Sequence, residues 1–138
     1  MRRAAFAFAL SLLAAPLGAA AQSSEDAAGI EATIRAQVEA MQADDWGRAF
    51  TYASPMIQSI FQSPEGFAQM VTNGYPMVWK PRSYRSGPLA ETPQGLRQTM
   101  VFEDSQGKLY VADYFMIQVD GAWRINGVQI RPAPAESA

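Results

Sequence analysis

Helical and strand-like patterns occupy separate parts of this chain, and that separation constrains its fold more than any other feature of the sequence. The stretch 44–79 carries three short segments with apolar residues at helical spacing, followed by a bend at a proline. Ser54-Pro55 and Ser63-Pro64 each place a hydroxyl cap before a proline at the first helical position. Because strands follow these helices, the order predicts an α+β domain with helices on one face of an antiparallel sheet.

A longer helix is predicted before this stretch. It should begin near Ser23 or Ser24, where Glu25 and Asp26 fall in the first turn and suit the positive end of the helix dipole. Four apolar residues then recur at helical spacing: Ile30, Ile34, Val38 and Met41. Because such a helix is marginal in water on its own, its apolar stripe should pack on the sheet.

The last of the short helices is predicted to end at Asn73-Gly74. Gly74 would take the left-handed conformation past the helix end, and Pro76 would prevent any continuation. The first strand is then predicted over residues 78–87. Its prolines and cations are typical of an edge strand, because both discourage further pairing.

Three more strands are predicted over residues 96–103, 108–119 and 123–130. Asp120-Gly121 indicates a two-residue hairpin, and Asn126-Gly127 indicates a bulge in the last strand. One sheet face is predicted to carry Tyr110, Tyr114, Met116, Trp123, Ile125, Val128 and Ile130. The other is predicted to carry Leu96, Met100, Phe102, Leu109, Val111, Phe115 and Ile117. One layer of helices covers only one of these apolar faces, so the other should meet a ligand, a partner or a second copy.

The first 21 residues are predicted to be a secretory signal peptide. Arg2 and Arg3 form a basic start, residues 4–13 are apolar, and Ala19-Ala20-Ala21 supply a small-residue cleavage site before Gln22. An N-terminal membrane anchor is the alternative, but the apolar run is shorter than the about 20 residues that a span needs. We therefore expect a periplasmic or secreted protein without a stable membrane anchor after cleavage.

The rest of the chain is predicted to form a single domain over residues 22–131, with a flexible tail over residues 132–138. It contains no cysteine and no histidine, which excludes nucleophile systems that depend on either residue and metal sites built from thiolates or imidazoles. We expect no metal and no cofactor. With 11 basic and 13 acidic residues, the charge balance also argues against nucleic acid as a partner.

Four segments of the chain resemble a known family. They are AFTYASPMIQSIF (49–61), NGYPMVWKP (73–81), DYFMI (113–117) and WRINGVQ (123–129). The chain is similar in these segments to an uncharacterised family of exported bacterial proteins, domain of unknown function 4864. That family is similar in layout to the superfamily of nuclear transport factor two and ketosteroid isomerase. The resemblance implies a cone-like fold, with N-terminal helices packed on a curved antiparallel sheet, a pocket at the open end and frequent dimers. It implies no activity, since no catalytic motif of the superfamily's enzymes matches here residue by residue.

Asp113 is the candidate catalytic residue because it interrupts an otherwise apolar strand face. A buried carboxylate is costly unless it is paired, and it ionises less readily when it is not. The functional interpretation is a general acid or base in a pocket. The alternative, which we favour, is a structural ion pair or hydrogen bond with Arg124, Arg97 or Gln98.

Ligand-binding candidates are Tyr75, Trp79 and Tyr114, together with Asp113. A tyrosine hydroxyl beside a carboxyl group can carry out isomerase chemistry, and the segment 74–79 could form the lip of a pocket. Ordinary packing of these aromatic side chains is the simpler explanation.

From these observations we predict non-enzymatic binding of a small apolar ligand or a protein partner in the cone. The alternative is a carboxylate- and tyrosine-dependent isomerase, dehydratase or cyclase that uses Asp113. We also expect a homodimer that pairs through the sheet, since a two-fold contact is the commonest way to cover an apolar face.

Overall fold

The structure, a computed structural model, describes residues 15–133, with the side chains described from residue 24 onward. The helices are α1 (Ala15–Gln42), α2 (Trp46–Thr51), α3 (Pro55–Phe61), α4 (Pro64–Gly74) and α5 (Pro76–Trp79). The strands are β1 (Ser83–Thr92), β2 (Gly95–Glu103), β3 (Leu109–Val119) and β4 (Ala122–Pro132). The strands form one antiparallel sheet in the order β1-β2-β3-β4. The predicted α+β fold is therefore confirmed.

Side-chain caps start the short helices where the sequence predicts them. The Oγ of Ser54 accepts a hydrogen bond from the backbone N–H of Ile57 at 3.2 Å, and that of Ser63 accepts one from Gly66 at 3.1 Å. Asp45 caps α2 in the same way. These bonds satisfy N–H groups that the first turn of a helix leaves without a partner.

The turns of the sheet also follow the sequence. Asp120 and Gly121, with φ of 52° and 81°, join β3 to β4 as a two-residue hairpin. Asn126 is the extra residue of a bulge, because the register of β4 against β3 shifts between Phe115 and Met116. Both predictions are confirmed.

The first helix begins earlier than predicted, at Ala15 instead of Ser23 or Ser24. It continues back through the alanines at 19–21, and alanine has the highest intrinsic helix propensity.

Residues 1–14 of the predicted signal peptide and residues 134–138 of the predicted tail lie outside the described residues. Among the described helices, none combines the length and apolarity needed to cross a membrane.

The connection after α4 differs from the prediction. Gly74 lies inside α4 without a positive φ, and Pro76 starts α5 where the sequence predicted the approach to a strand. A proline ends one helix and can begin the next, because the first helical turn needs no N–H from it. The edge strand β1 begins only at Ser83, and it continues past Pro88 with a register shift between Ser86 and Leu89.

The helices cover one face of the sheet, which we call the inner face. Its buried members are Gln98, Met100, Phe102, Ala112, Tyr114, Met116 and Ile125. The prediction that Leu96, Met100 and Phe102 lie on the opposite face is wrong, because Met100 pairs with Ala112 and Phe102 pairs with Tyr110. The connection between β2 and β3 sets this register, and a shift of one residue would turn every side chain to the other face.

The core lies between α1 and the inner face. The predicted stripe of Ile30, Ile34, Val38 and Met41 is confirmed, with exposed fractions of 0% to 1%. Fully burying an aliphatic side chain of this size contributes about 1.5–3 kcal/mol each. Trp123 of β4 packs against Gly29 of α1, where an added Cβ would lie 2.9 Å from the indole ring.

Candidate functional site

A cavity of about 260 Å³ lies between the helices and the inner face of the sheet. Most of its wall is apolar: Met41, Ala53, Ile57, Phe61, Phe67, Met70, Val71, Val78, Ile125, Gly127 and Val128. Three lining residues carry a polar group in the side chain: Gln37, Tyr75 and Tyr114. The wall therefore has the composition of a site for a small apolar molecule, in which a few polar groups fix the orientation.

A short backbone bridge places α3 over this cavity. The N–H of Ser54 donates to the carbonyl of Ile125 at 2.8 Å, and the N–H of Ile125 donates to the carbonyl of Tyr52 at 2.9 Å. Ala53 thus pairs with the edge of β4 in parallel. The chain that enters α3 is thus tied to the sheet at Ala53 and Ile125, which both line the cavity.

The helix α3 forms part of the cavity wall. Ile57 and Phe61 line it, while Met56 and Ile60 on the same helix are 50% and 59% exposed. Two of the four large apolar side chains of this helix thus line the cavity, and the other two are exposed. All residues of α3 remain at least partly exposed, which is typical of elements with low local stability.

Tyr114 lies in the centre of the inner face with an exposed fraction of 0%. Its buried hydroxyl has no hydrogen-bond partner among the described residues. Burial raises the pKa of the Tyr114 phenol, because the charged form would lose its hydration. Tyr114 is thus a neutral part of the wall, and its hydroxyl is shielded from solvent.

Gln37 is the polar lining residue that the sequence analysis did not identify. It is 4% exposed, and its Nε2 donates to the carbonyl of Ala49 at 3.1 Å. The signal was present in the sequence, because Gln37 lies between Ile34 and Met41 on the face of α1 that the apolar stripe defines.

The structure brings two of the four predicted ligand-binding residues together. Tyr75 and Tyr114 both line the cavity. Trp79 lies elsewhere: its Nε1 donates to Oδ1 of Asp44 at 3.2 Å, and its ring packs 6.1 Å from that of Trp46. The contacts of Trp79 hold α5 against the start of α2.

Asp113 lies on the face of the sheet opposite the cavity, which we call the outer face. Its Oδ1 accepts a hydrogen bond from Thr99 Oγ1 at 2.9 Å, and its Oδ2 lies 3.6 Å from Nε of Arg131. The polar contacts of Asp113 are thus with Thr99 and Arg131, not with the expected partners Arg124, Arg97 and Gln98. The register explains this, because Thr99 is paired directly with Asp113.

The predicted combination of Asp113 with a tyrosine is not assembled at the cavity. Tyr114 is the next residue on the same strand, and successive residues of a strand face opposite sides of the sheet. Within the part of the chain that the structure describes, no group of three or more acidic side chains could hold a metal ion.

The model of a protein family described as Domain of unknown function (DUF4864) matches residues 23–138. This chain belongs to that family. All four segments on which the resemblance rests fall within the part matched to DUF4864. No curated protein and no solved structure matches the chain. Membership of DUF4864 assigns no activity, and the likeness to the nuclear-transport-factor-two superfamily stays a prediction.

Proposed function

We propose that this protein binds a small apolar molecule in the cavity between its helices and the inner face of the sheet. The observation that carries the proposal is the apolar wall around about 260 Å³. Each square ångström of this wall that a ligand covers would contribute about 25 cal/mol.

The volume limits the size of the ligand. A cavity of about 150 Å³ holds benzene, and the present one is larger, at about 260 Å³. It is smaller than most pockets that take drug-sized molecules, which begin at about 300 Å³. A compound with one or two fused rings, or an aliphatic chain of similar volume, is the class that fits.

Binding agrees better with the geometry than the alternative of an isomerase, dehydratase or cyclase. Such an enzyme would need the carboxylate of Asp113 beside a tyrosine hydroxyl at one site. The sheet lies between Asp113 on the outer face and Tyr75 and Tyr114 at the cavity. The cavity wall itself contains no carboxylate among the described residues.

Isothermal titration with indane, a neutral two-ring hydrocarbon, tests the proposal. We expect a dissociation constant below about 1 mM, which corresponds to about −4.1 kcal/mol. Val128→Phe fills the cavity and should weaken binding by about tenfold or more, a loss of about 1.4 kcal/mol. The matched control is Val101→Phe, a half-buried strand valine that does not line the cavity, and it should leave the affinity unchanged. A wild-type protein that does not bind indane, or a Val128→Phe variant that binds it normally, would contradict the proposal.

We also propose that the protein is exported. The support is the pattern at the start of the sequence, where a basic pair, an apolar run and a small-residue site precede Gln22. The intact mass of the protein recovered from its own host decides this proposal. A chain that begins at Gln22 outside the cytoplasm is the expected result, and an unprocessed chain would rule out a cleaved signal.

A further inference from the structure

We propose that the cavity selects a neutral molecule whose apolar body fills it and whose single oxygen atom accepts a hydrogen bond from the hydroxyl of Tyr75. This inference rests on the proposed function, that an apolar ligand occupies the cavity. Beyond the proposed function, it specifies the charge of the ligand, the polar group of the ligand and the residue that recognises that group.

The charge of the ligand follows from the composition of the wall. Among the described residues that line the cavity, none is Asp, Glu, Lys or Arg. An ionised ligand would lose its hydration here without gaining a counter-charge, and burial of an unpaired charge is strongly unfavourable. Carboxylates and amines should therefore bind less well than neutral molecules with the same carbon frame.

The polar group of the ligand has one suitable partner among the three polar lining residues. Gln37 is 4% exposed, and its amide already donates to Ala49. The hydroxyl of Tyr114 is fully buried, although the residue lines the cavity. Tyr75 lines the cavity and is only half-buried, and we therefore assign the hydrogen bond to its phenol.

The backbone holds Tyr75 in place from both sides. Its N–H donates to the carbonyl of Val71 at 2.7 Å, and its carbonyl accepts the N–H groups of Val78 at 2.9 Å and Trp79 at 3.2 Å. Pro76 follows directly and fixes the first turn of α5. The backbone that carries the phenol is therefore already ordered before a ligand binds, which favours recognition.

A matched set of three compounds tests the inference: indane, 1-indanone and indane-1-carboxylate. Their dissociation constants are measured with the wild-type protein, with Tyr75→Phe, and with Tyr110→Phe as the control. Tyr110 also lies on the inner face but does not line the cavity. We expect Tyr75→Phe to lower the preference for 1-indanone over indane by about three- to tenfold, the range of a typical net hydrogen bond. Tyr110→Phe should leave that preference unchanged, and the carboxylate should bind more weakly than indane to all three proteins.

The outcomes separate this inference from the proposed function. If neither neutral compound binds, the proposed function fails and this inference fails with it. If both bind but Tyr75→Phe keeps the same preference, only the role of Tyr75 is overturned. A carboxylate that binds as tightly as 1-indanone overturns the selection for neutral ligands. In wild-type protein labelled at the tyrosine Cζ, the Tyr75 resonance should move with 1-indanone and much less with indane, and equal shifts would count against the hydrogen bond.

Discussion

The main polar contact of Asp113 is with Thr99, the residue that is paired with it on the neighbouring strand. Thr99 donates a hydrogen bond to its carboxylate at 2.9 Å, while Arg131 lies 3.6 Å away with a side chain that is 56% exposed. Ion pairs with such exposed partners contribute little, because water screens them. The hydrogen bond from Thr99 should therefore account for most of the stability that Asp113 contributes.

We expect Asp113→Ala to lower the free energy of unfolding by about 1–3 kcal/mol, because a hydrogen bond to a charged group is lost. Asp113→Asn keeps an acceptor for Thr99 and should cost less than about 1 kcal/mol. Urea denaturation of the two variants, with Thr99→Val as the matched control, measures the difference. Equal stability of Asp113→Ala and wild type would show that the carboxylate has no structural role.

Tyr114 should make the protein sensitive to alkali. Burial raises the pKa of the folded phenol above the ordinary value of 10.0, at which the phenol of the unfolded chain ionises. The unfolded state therefore loses a proton that the folded state keeps, and stability declines as the pH rises above about 10. Tyr114→Phe has no such proton, so its unfolding free energy should fall less steeply over that range. Parallel stability curves for the two proteins from pH 8 to pH 11 would contradict this role for Tyr114.

At the scale of elements, α3 has a fully buried cap residue, although none of the residues within the helix is buried. Ser54 is fully buried, and it bonds to Ile57 within the helix as well as to Ile125 on β4. Ser63 caps α4 with the same geometry but is only half-buried. The two serines therefore form a natural comparison between a cap at the cavity wall and a cap on a better packed helix.

Ser54→Ala and Ser63→Ala should each lower the free energy of unfolding by about 1 kcal/mol, the usual effect of removing such a cap. Ser54→Ala should have the larger effect, because its hydroxyl is buried. It should also weaken indane binding, since α3 forms one wall of the cavity. Thermal denaturation and indane titration of both variants measure these effects. A larger loss from Ser63→Ala would mean that α3 is held mainly by other contacts.

Features set by local chemistry could be predicted from the sequence. The serine caps, the Asp120-Gly121 hairpin and the bulge at Asn126 each depend on a few neighbouring residues. The helix α5 could not be predicted, because it is held by contacts of Trp79 with Asp44 and Trp46, which are distant in sequence. The assignment of β2 to the wrong face has a different origin, since the geometry of the turn between β2 and β3 decides which of their residues pair.

The site was less predictable than the fold because its wall combines residues from several elements. Tyr75 and Tyr114 were identified as polar aromatic residues, whereas Gln37 was not. Asp113 was grouped with the tyrosines although it is adjacent to Tyr114. Strand alternation alone places those two side chains on opposite faces of the sheet.

At the scale of the whole molecule, the outer face carries an apolar surface beside Asp113. Its half-buried members are Val101, Leu109, Phe115 and Ile117. We propose that a second copy covers this surface through a two-fold contact, which is the commonest symmetry of protein pairs. A stable contact would bury about 800 Å² on each partner.

Sedimentation velocity at micromolar concentration tests this pairing. We expect a species of twice the mass of one chain, which is 15.0 kDa before any processing. Phe115→Glu places a charge in the contact and should give the single-chain mass. Ile60→Glu, an exposed position on the helix side, should leave the dimer intact. A wild-type protein that sediments as a single chain would rule out the pairing.

Methyl-detected NMR with added indane tests most directly whether the cavity between the helices and the inner face binds a small apolar molecule. The methyl signals of Ile57, Val71 and Val128, which line the cavity, should shift and saturate together. Those of Val101 and Val111 on the outer face should not move. Unchanged spectra up to the solubility limit of indane, or shifts confined to the outer face, would contradict the claim.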